Sequence, residues 1–422
     1  MVAGATVGLG FNFLGLMDWN LNIAKVSEIY PVRDYVVGGL FFVVGKIFIY
    51  ALKMMVVPLV FVSLFCGAAA LREPSQLGKL GGKTLLLYLS TTAIALVLAI
   101  SFAYLINPGV GFQIPNDFQG YVGKEAPSFI NVLINMVPQN PIAAMAEGNM
   151  LQIIVFSILL GLSATMAGDA GSRIINFFTD INAVIMKLVH LIMELAPYAV
   201  FALIAKVFAE IGFDAIKTLA GYFFTVLLVL FIHALLVYPV LLTTLARLNP
   251  ITFLNKIKTA MVFAFGSASS NATIPVTLRT VIKRIGVSEK VASFTIPFGA
   301  TINMDGTAIM QGVATIFIAN VYGIDLTLSQ LGTVVLMATL ASVGTAGVPG
   351  VGLLMLSGVL TQVGIPVEGI GLILGIDRLL DMTRTAVNVT GDATVTCIVA
   401  KSANEFDETV FNDPNAGIIE ET

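Results

Sequence analysis

Apolar stretches long enough to cross a bilayer follow one another along the chain, separated by short polar loops. They occupy roughly residues 1–17, 36–71, 84–106, 128–167, 176–211, 216–247, 287–322 and 367–400. A hydrocarbon core needs about 20 apolar residues per crossing, so the pattern predicts about eight transmembrane helices. Two further apolar segments are interrupted by small, hydroxyl-bearing and helix-breaking residues, SASSNATIPV at 267–276 and SVGTAGVPG at 342–350. Each unsatisfied N–H or C=O costs several kcal/mol at membrane depth, so broken backbone survives there only if packed in protein or lining a watery cavity. The two segments are therefore expected to be re-entrant hairpins that mark a site. Within the fourth run, PQNP at 138–141 and EGN at 147–149 predict several short helices. The first run lacks a charged n-region and a small-residue cleavage site, and is read as a first span that the chain enters part-way.

Composition sharpens this picture. With 57% hydrophobic residues, 11% charged residues and a mean hydropathy of +0.94, the chain is a polytopic membrane protein. A net charge of -3 without runs of like charge excludes a nucleic-acid partner. Cys66 and Cys397 sit far apart in apolar surroundings and are read as inert buried thiols; His190 and His233, each alone in an apolar run, are read as packed or interfacial. Arg72, Lys79 and Lys83 place the loop before the third span in the cytoplasm, and the loop near 107–127 outside. Basic residues flank the first hairpin on both sides (Arg247, Lys256, Lys258; Arg279, Lys283, Arg284), whereas Asp325 and Glu368 flank the second. Hairpins entering from opposite faces, each followed by a polar span, form the inverted repeat of a secondary transporter.

The densest polar signal lies in the last span, GIDRLLDMTRTAVNVTGD at 375–392. Helical geometry puts Asp377, Asp381, Arg384, Asn388 and Asp392 within roughly 80° of one another on one face. Such a stripe must face protein, water or ligand. An internal salt-bridge ladder, with Asp381 on Arg384, is one reading of it. Three carboxylates against Arg384 and Arg378 leave excess negative charge, and bound cations are the other reading. The preceding span carries GATINMDGT at 299–307, where a mid-span Asp beside Gly306 predicts unwound helix. Asn303, Asp305 and Thr307, with Asn388 and Asp392, offer the carboxylate, amide and carbonyl oxygens that a hard cation prefers.

The motifs SSNATIPVT, GATINMDGT, GTAGVPG and DMTRTAVNVTGD resemble those of the dicarboxylate/amino acid:cation symporters, which include archaeal sodium-coupled aspartate transporters and animal excitatory amino acid transporters. The resemblance is strong over 250–401 and collinear before that. It implies an all-α polytopic protein with eight transmembrane helices and two re-entrant hairpins in inverted repeats, assembled as a homotrimer and working as an elevator. By the same resemblance, 1–71 and 128–214 form a scaffold, 72–127 (third span and outer loop) and 215–401 a transport domain, and 402–422 a cytoplasmic tail.

The resemblance further implies a substrate site of Ser270, Thr307, Gly347, Val348, Asp381, Arg384, Thr385 and Asn388. Sodium ions would be held at Gly299, Asn303, Asn388 and Asp392; at Thr301, Met304, Ser342, Val343 and Thr345; and at Tyr88, Thr91, Thr92, Asn303 and Asp305. The chain departs from the family pattern in three respects. Ala268 and Met382 stand where members carry an additional arginine, a role that Arg378 is offered for; Gln311 replaces a proton-linked glutamate of animal members; Asn271 replaces a commoner tip serine. The implied function is sodium-driven symport of an acidic amino acid, aspartate or glutamate, across a cell membrane, and not enzymatic catalysis. Arg384 would hold the side-chain carboxylate, Asp381 the ammonium and Asn388 the α-carboxylate. The alternatives are a C4-dicarboxylate or neutral amino acid symporter, or mainly an anion-conducting channel.

Overall fold

A chain this apolar satisfies its backbone inside helices, and the computed structural model is helical almost throughout. It describes residues 2–13, 20–21, 30–31, 33–69, 74–111, 134–211, 214–342, 347 and 349–417. Helix α1 (Val2–Phe13) is followed by a ladder of two-residue strands, β1 (Asn20–Leu21) and β2 (Tyr30–Pro31), which with an isolated bridge between Val287 and Phe406 departs from an all-α chain among the described residues. Helix α2 (Phe42–Ala69), entered through a π-type turn at Arg33–Phe41, and α3 (Pro74–Ile106) come next. The PQNP and EGN signals act as expected. Asn140 caps α4 (Pro141–Glu147), its Oδ1 accepting from the N–H groups of Ile142 (3.0 Å) and Ala143 (3.1 Å), and Gly148, at φ 70°, ends it before α5 (Met150–Met166).

The predicted fifth span is two helices, α6 (Gly168–Glu194) and α7 (Ala196–Ile211). Pro197 cannot donate to the preceding turn, which explains the break at Leu195. Helix α8 (Asp214–Ile232) continues through π-type turns to Ala246. Among the described residues, four helical segments are long and apolar enough to cross a membrane: Tyr35–Ala69, Gly81–Ile106, Gly168–Ile192 and Lys217–Ala246. The later predicted spans escape that criterion because they are broken or polar.

Those later elements carry the irregular backbone. Helices α9 (Pro250–Ser267) and α10 (Ser270–Thr280) pack on each other across a break at Ala268 and Ser269. Ala268 adopts the left-handed conformation (φ 48°), and Ser269 Oγ caps α10 by accepting from Ala272 N–H. Helices α11 (Glu289–Ile302) and α12 (Asp305–Val321) are separated by non-helical backbone at Asn303 and Met304. Gly306, expected to mark the unwinding, lies inside α12. A Cβ there would sit 2.6 Å from the Arg384 carbonyl oxygen, so its small size serves close helix approach. Helices α13 (Leu328–Ser342) and α14 (Val351–Val363) form the second pair. The two tips meet: the carbonyl of Gly347 accepts from Ser269 Oγ (2.7 Å) and from Asn271 N–H (3.2 Å).

Helix α15 (Ile370–Ser402) is central, packing on α3, α7, α8, α9, α10, α11 and α12. The segment after it folds back. Asp407 N–H donates to Gly286 O (2.7 Å), Ser288 N–H donates to Glu405 O (3.0 Å), and Asp407 caps α16 (Glu408–Asn412). The Thr409 hydroxyl and the N–H groups of Thr409 and Val410 hold the Asp407 carboxyl below its ordinary range. Lys256 Nζ, buried in α9, donates to the carbonyls of Arg284 (2.6 Å), Val410 (2.7 Å) and Asp413 (2.8 Å).

Two outcomes follow from these contacts. Lys256→Met strands three carbonyls, each worth about 1–3 kcal/mol if left unpaired, so the detergent-solubilised variant should melt earlier and lose its C-terminal segment to trypsin faster than the parent. Unchanged melting and cleavage would count against the tether. At Gly347 a Cβ would lie 2.9 Å from Asn271 Oδ1 and 3.0 Å from both Ala300 O and Ser270 Cβ. Gly347→Leu should therefore prise the tips apart and lower the melting temperature of the solubilised protein; unchanged melting would show that the tips do not need the glycine.

Candidate functional site

The polar stripe of α15 divides into two clusters facing different neighbours. The first is built on Arg384, 1% exposed. Its Nη1 and Nη2 donate to the two carboxylate oxygens of Asp377 (2.6 and 3.3 Å), and Nη2 also donates to Asp381 Oδ1 (2.8 Å). The salt-bridge ladder anticipated as one reading of the stripe is thus present, with Asp377 as the stronger partner. Sequence reasoning placed Asp377 on the stripe and gave it no role in the site. Arg384 Nε and the fully buried hydroxyl of Tyr222 on α8 have no hydrogen-bond partner. Thr385 Oγ1 donates to Asp381 O (2.8 Å), and Thr307, buried at the start of α12, lies against Gly352 of α14. Ser270 is buried at the tip of the first hairpin, beside Gly347. Val348 lies outside the described residues. Arg378 is exposed, off the buried stripe, so it does not supply the additional arginine.

The second cluster lies about 12 Å further along α15, at 1.5 Å per residue from 384 to 392. Asp392, 2% exposed, accepts from Asn303 Nδ2 (3.0 Å). Asp305, fully buried, accepts at Oδ1 from Thr92 Oγ1 (2.6 Å) and Thr91 Oγ1 (3.3 Å). Thr91 Oγ1 also reaches Asn303 Oδ1 (3.3 Å) and Tyr88 O (3.0 Å). The Tyr88 hydroxyl points elsewhere, to Thr295 O (2.9 Å), so its contribution beside Thr91 is the carbonyl. Gly299 packs where a Cβ would lie 2.5 Å from Asp392 Oδ1 and 2.6 Å from the Tyr88 hydroxyl. Asn388 bridges the helix break, accepting from Gly306 N–H (2.7 Å) and donating to Met304 Sδ (3.4 Å). The break therefore exists where α15 supplies a side chain to replace lost backbone pairing.

The structure thus joins Thr91, Thr92, Asn303, Asp305 and Asp392 in one hydrogen-bonded network, with Tyr88, Gly299, Met304 and Asn388 around it. The remaining predicted ion ligands are not joined to it. Thr301 and Ser342 donate to their own helices, at Phe298 O (2.9 Å) and Thr339 O (2.7 Å), and Val343 and Thr345 lie outside the described residues. Sequence reasoning missed His233 and Tyr238. His233 was read as packed, and it is fully buried, but its Nε2 also lies 3.2 Å from Asp305 Oδ2. The Tyr238 hydroxyl donates to the same oxygen (2.8 Å). Both residues sit alone in apolar sequence, where only the fold reveals a partner.

Among the described residues, Asp305 and Asp392 have no Lys or Arg partner in an ion pair. Two buried carboxylates surrounded by hydroxyl, amide and carbonyl oxygens are suited to a hard monovalent cation. The guanidinium between two carboxylates is suited to exchange one of them for an anionic ligand.

Comparison with known proteins agrees with this chemistry. Residues 1–402 match the sodium:dicarboxylate symporter family. The chain is 35% identical over 386 residues to the proton/glutamate-aspartate symporter of Escherichia coli (strain K12), covering 89% of this chain and 88% of that protein. It is 35% identical over 378 residues to a proton/sodium-glutamate symport protein of Geobacillus stearothermophilus, covering 86% and 88%. A C4-dicarboxylate transport protein of Bacillus subtilis (strain 168) is 33% identical over 371 residues, covering 86% and 88%. With the match spanning both broken helices and both buried clusters, the chain belongs to the sodium:dicarboxylate symporter family, whose members are multi-pass membrane transporters.

Proposed function

We propose that the protein is a sodium-coupled symporter of acidic amino acids, aspartate or glutamate. The observation that carries this reading is the pair of buried carboxylates without Lys or Arg, Asp305 and Asp392, next to a buried arginine held by two acids. Sodium neutralises the Asp305 and Asp392 cluster as it binds, and the amino acid completes the Arg384 cluster. Asp381 holds Arg384 by one contact and is the less buried of the two acids, so it is the partner that a substrate carboxylate displaces. Asp381 then takes the substrate ammonium while Asp377 keeps Arg384 oriented. Asn388 and the hairpin backbone receive the α-carboxylate. The names of the Escherichia coli and Geobacillus stearothermophilus relatives support glutamate and aspartate; both name the proton, and the second names sodium as well. Gln311, buried and unable to titrate, favours sodium here.

The proposal includes a homotrimer, the second hairpin as gate, and an elevator movement of the transport domain (72–127 and 215–401) against the scaffold (1–71 and 128–214). Packing supports that division: α1, α2, α5, α6 and α7 pack extensively on one another, whereas α3 and α8–α12 gather around α15. Crossing the boundary are α14 on α2, α13 and α14 on α5, α7 on α8 and α15, and Glu368 with Lys46 (3.1 Å) and Lys53 (3.3 Å). The C4-dicarboxylate relative supports a second reading, in which the substrate lacks an amino group and leaves Asp381 with Arg384.

Competition for radiolabelled uptake in proteoliposomes separates the two readings. An acidic amino acid should compete in the parent and succinate should not. Losing one partner of a buried charge pair costs about 2–5 kcal/mol, so Arg384→Cys should weaken aspartate by roughly 30-fold to several thousand-fold. Equal competition by aspartate in parent and variant would show that Arg384 does not read the substrate. For the cation, Asp392→Asn should raise the sodium concentration that supports half-maximal substrate binding, by linkage between the two ligands. Sodium titrations that superimpose for parent and variant would remove Asp392 from the cation sites.

A further inference from the structure

The Asp305 carboxylate offers about four acceptor positions, and each is met by a different donor. The donors fall into two kinds. At Oδ1 they are Thr91 and Thr92 of α3, hydroxyls that can turn their hydrogens away and present lone pairs. Thr91 already has a second acceptor for its hydrogen, the carbonyl of Tyr88 at 3.0 Å. At Oδ2 they are Tyr238 and His233, both 0% exposed, on the continuous run of α8. His233 Nδ1 has no hydrogen-bond partner, so the tautomer that satisfies the pair carries its proton on Nε2, facing Asp305. The rings of His233 and Tyr238 pack edge to face with centroids 4.6 Å apart, which fixes both donors against rotation. The Tyr238 hydroxyl is also 3.3 Å from Val387 O on α15 and lies where Gly391 has no side chain to exclude it. The run of α8 thus holds Oδ2 of α12, with the Tyr238 hydroxyl backed by α15.

We infer that His233 and Tyr238 are positioning residues for the cation site at Asp305: they occupy Oδ2 permanently, so the carboxylate meets sodium through Oδ1 alone, beside the Thr91, Thr92, Asn303 and Tyr88 oxygens. This rests on the proposed sodium reading and adds to it two residues that touch no ion. Held in this way, Asp305 cannot chelate the ion through both oxygens or rotate toward Asp392, and its Oδ1 is aimed at the α3 hydroxyls. Outer partners of this kind tune metal affinity by about 10- to 100-fold in other sites.

The test is a sodium titration of purified, full-length protein read in two ways: by thermal stabilisation with sodium chloride alone, and by binding of radiolabelled aspartate. Choline chloride replaces sodium to hold ionic strength. Tyr238→Phe removes one oxygen and should raise the sodium half-point about 10-fold in both readouts, with aspartate affinity restored at saturating sodium. His233→Leu should do the same, and His233→Gln, which keeps a side-chain N–H of similar reach, should recover most of the loss. A merely structural role would lower the melting temperature in choline chloride and leave the sodium half-point where it is. Should His233→Leu fail to fold, Tyr238→Phe and His233→Gln carry the test. Sodium half-points in Tyr238→Phe and His233→Leu equal to the parent's, with Asp305→Asn strongly shifted, would overturn the positioning role and keep the cation site. An Asp305→Asn titration identical to the parent's would overturn the site and the inference together.

Discussion

Burying a carboxylate away from water costs several kcal/mol unless donors or a counter-charge replace the lost hydration. Helices α12 and α15 bury four of them, Asp305, Asp377, Asp381 and Asp392, and the protein answers that cost in two different ways. Where Arg384 is available, a fixed charge neutralises much of the pair around it. Where no Lys or Arg is available, at Asp305 and Asp392, the fold supplies hydroxyl, amide and imidazole groups instead. That difference separates the two clusters chemically.

The broken backbone is the geometric counterpart of this arrangement. An intact helix through residues 302–305 would spend its carbonyls and N–H groups on itself. Breaking at Asn303 and Met304 releases them, and the released groups are not left bare: Asn388 takes Gly306 N–H, and Asn303 reaches Asp392 with its side chain. The tips of the two hairpins use the same device, with Ser269 Oγ and Asn271 N–H pairing on the Gly347 carbonyl. Glycine is required there because a side chain would meet Ala300 O and Asn271 before the tips could close. Near the start of α9, Lys256 uses an ammonium to hold three carbonyls from two segments, so the segment after α15 is part of the packed structure.

Much of this was legible in the chain because membranes leave few options. Continuous apolar runs had to be helices, and the polar interruptions at 267–276 and 342–350 had to be sheltered breaks. PQNP and EGN fixed the ends of α4 through caps that act within a few residues. The stripe from Asp377 to Asp392 followed from the helical period alone. The Asp305–Gly306 pair marked the unwinding, which falls just before it at Asn303 and Met304, and Gly306 itself serves the contact with Arg384. Local chemistry misled in one place. Arg378 suggested a counter-charge, yet one step along a helix turns a side chain by about 100°, which carries it off the buried face.

Sequence by itself determined the solvent, the helical class, the position of the breaks and the residue types able to hold a cation and an acid, because each of these depends on hydropathy, period or nearby neighbours. Tertiary structure decided which polar groups pair. Asp377 rather than Asp381 provides the two-oxygen grip on Arg384, and that choice depends on side-chain reach after the stripe is packed. His233 and Tyr238 lie some 70 residues before Asp305 in an apolar run (|i−j| of 72 and 67), and nothing in their own neighbourhood announces a polar partner. A buried hydrogen bond between distant segments is specified by how helices cross, and that information resides in the packing of the whole chain.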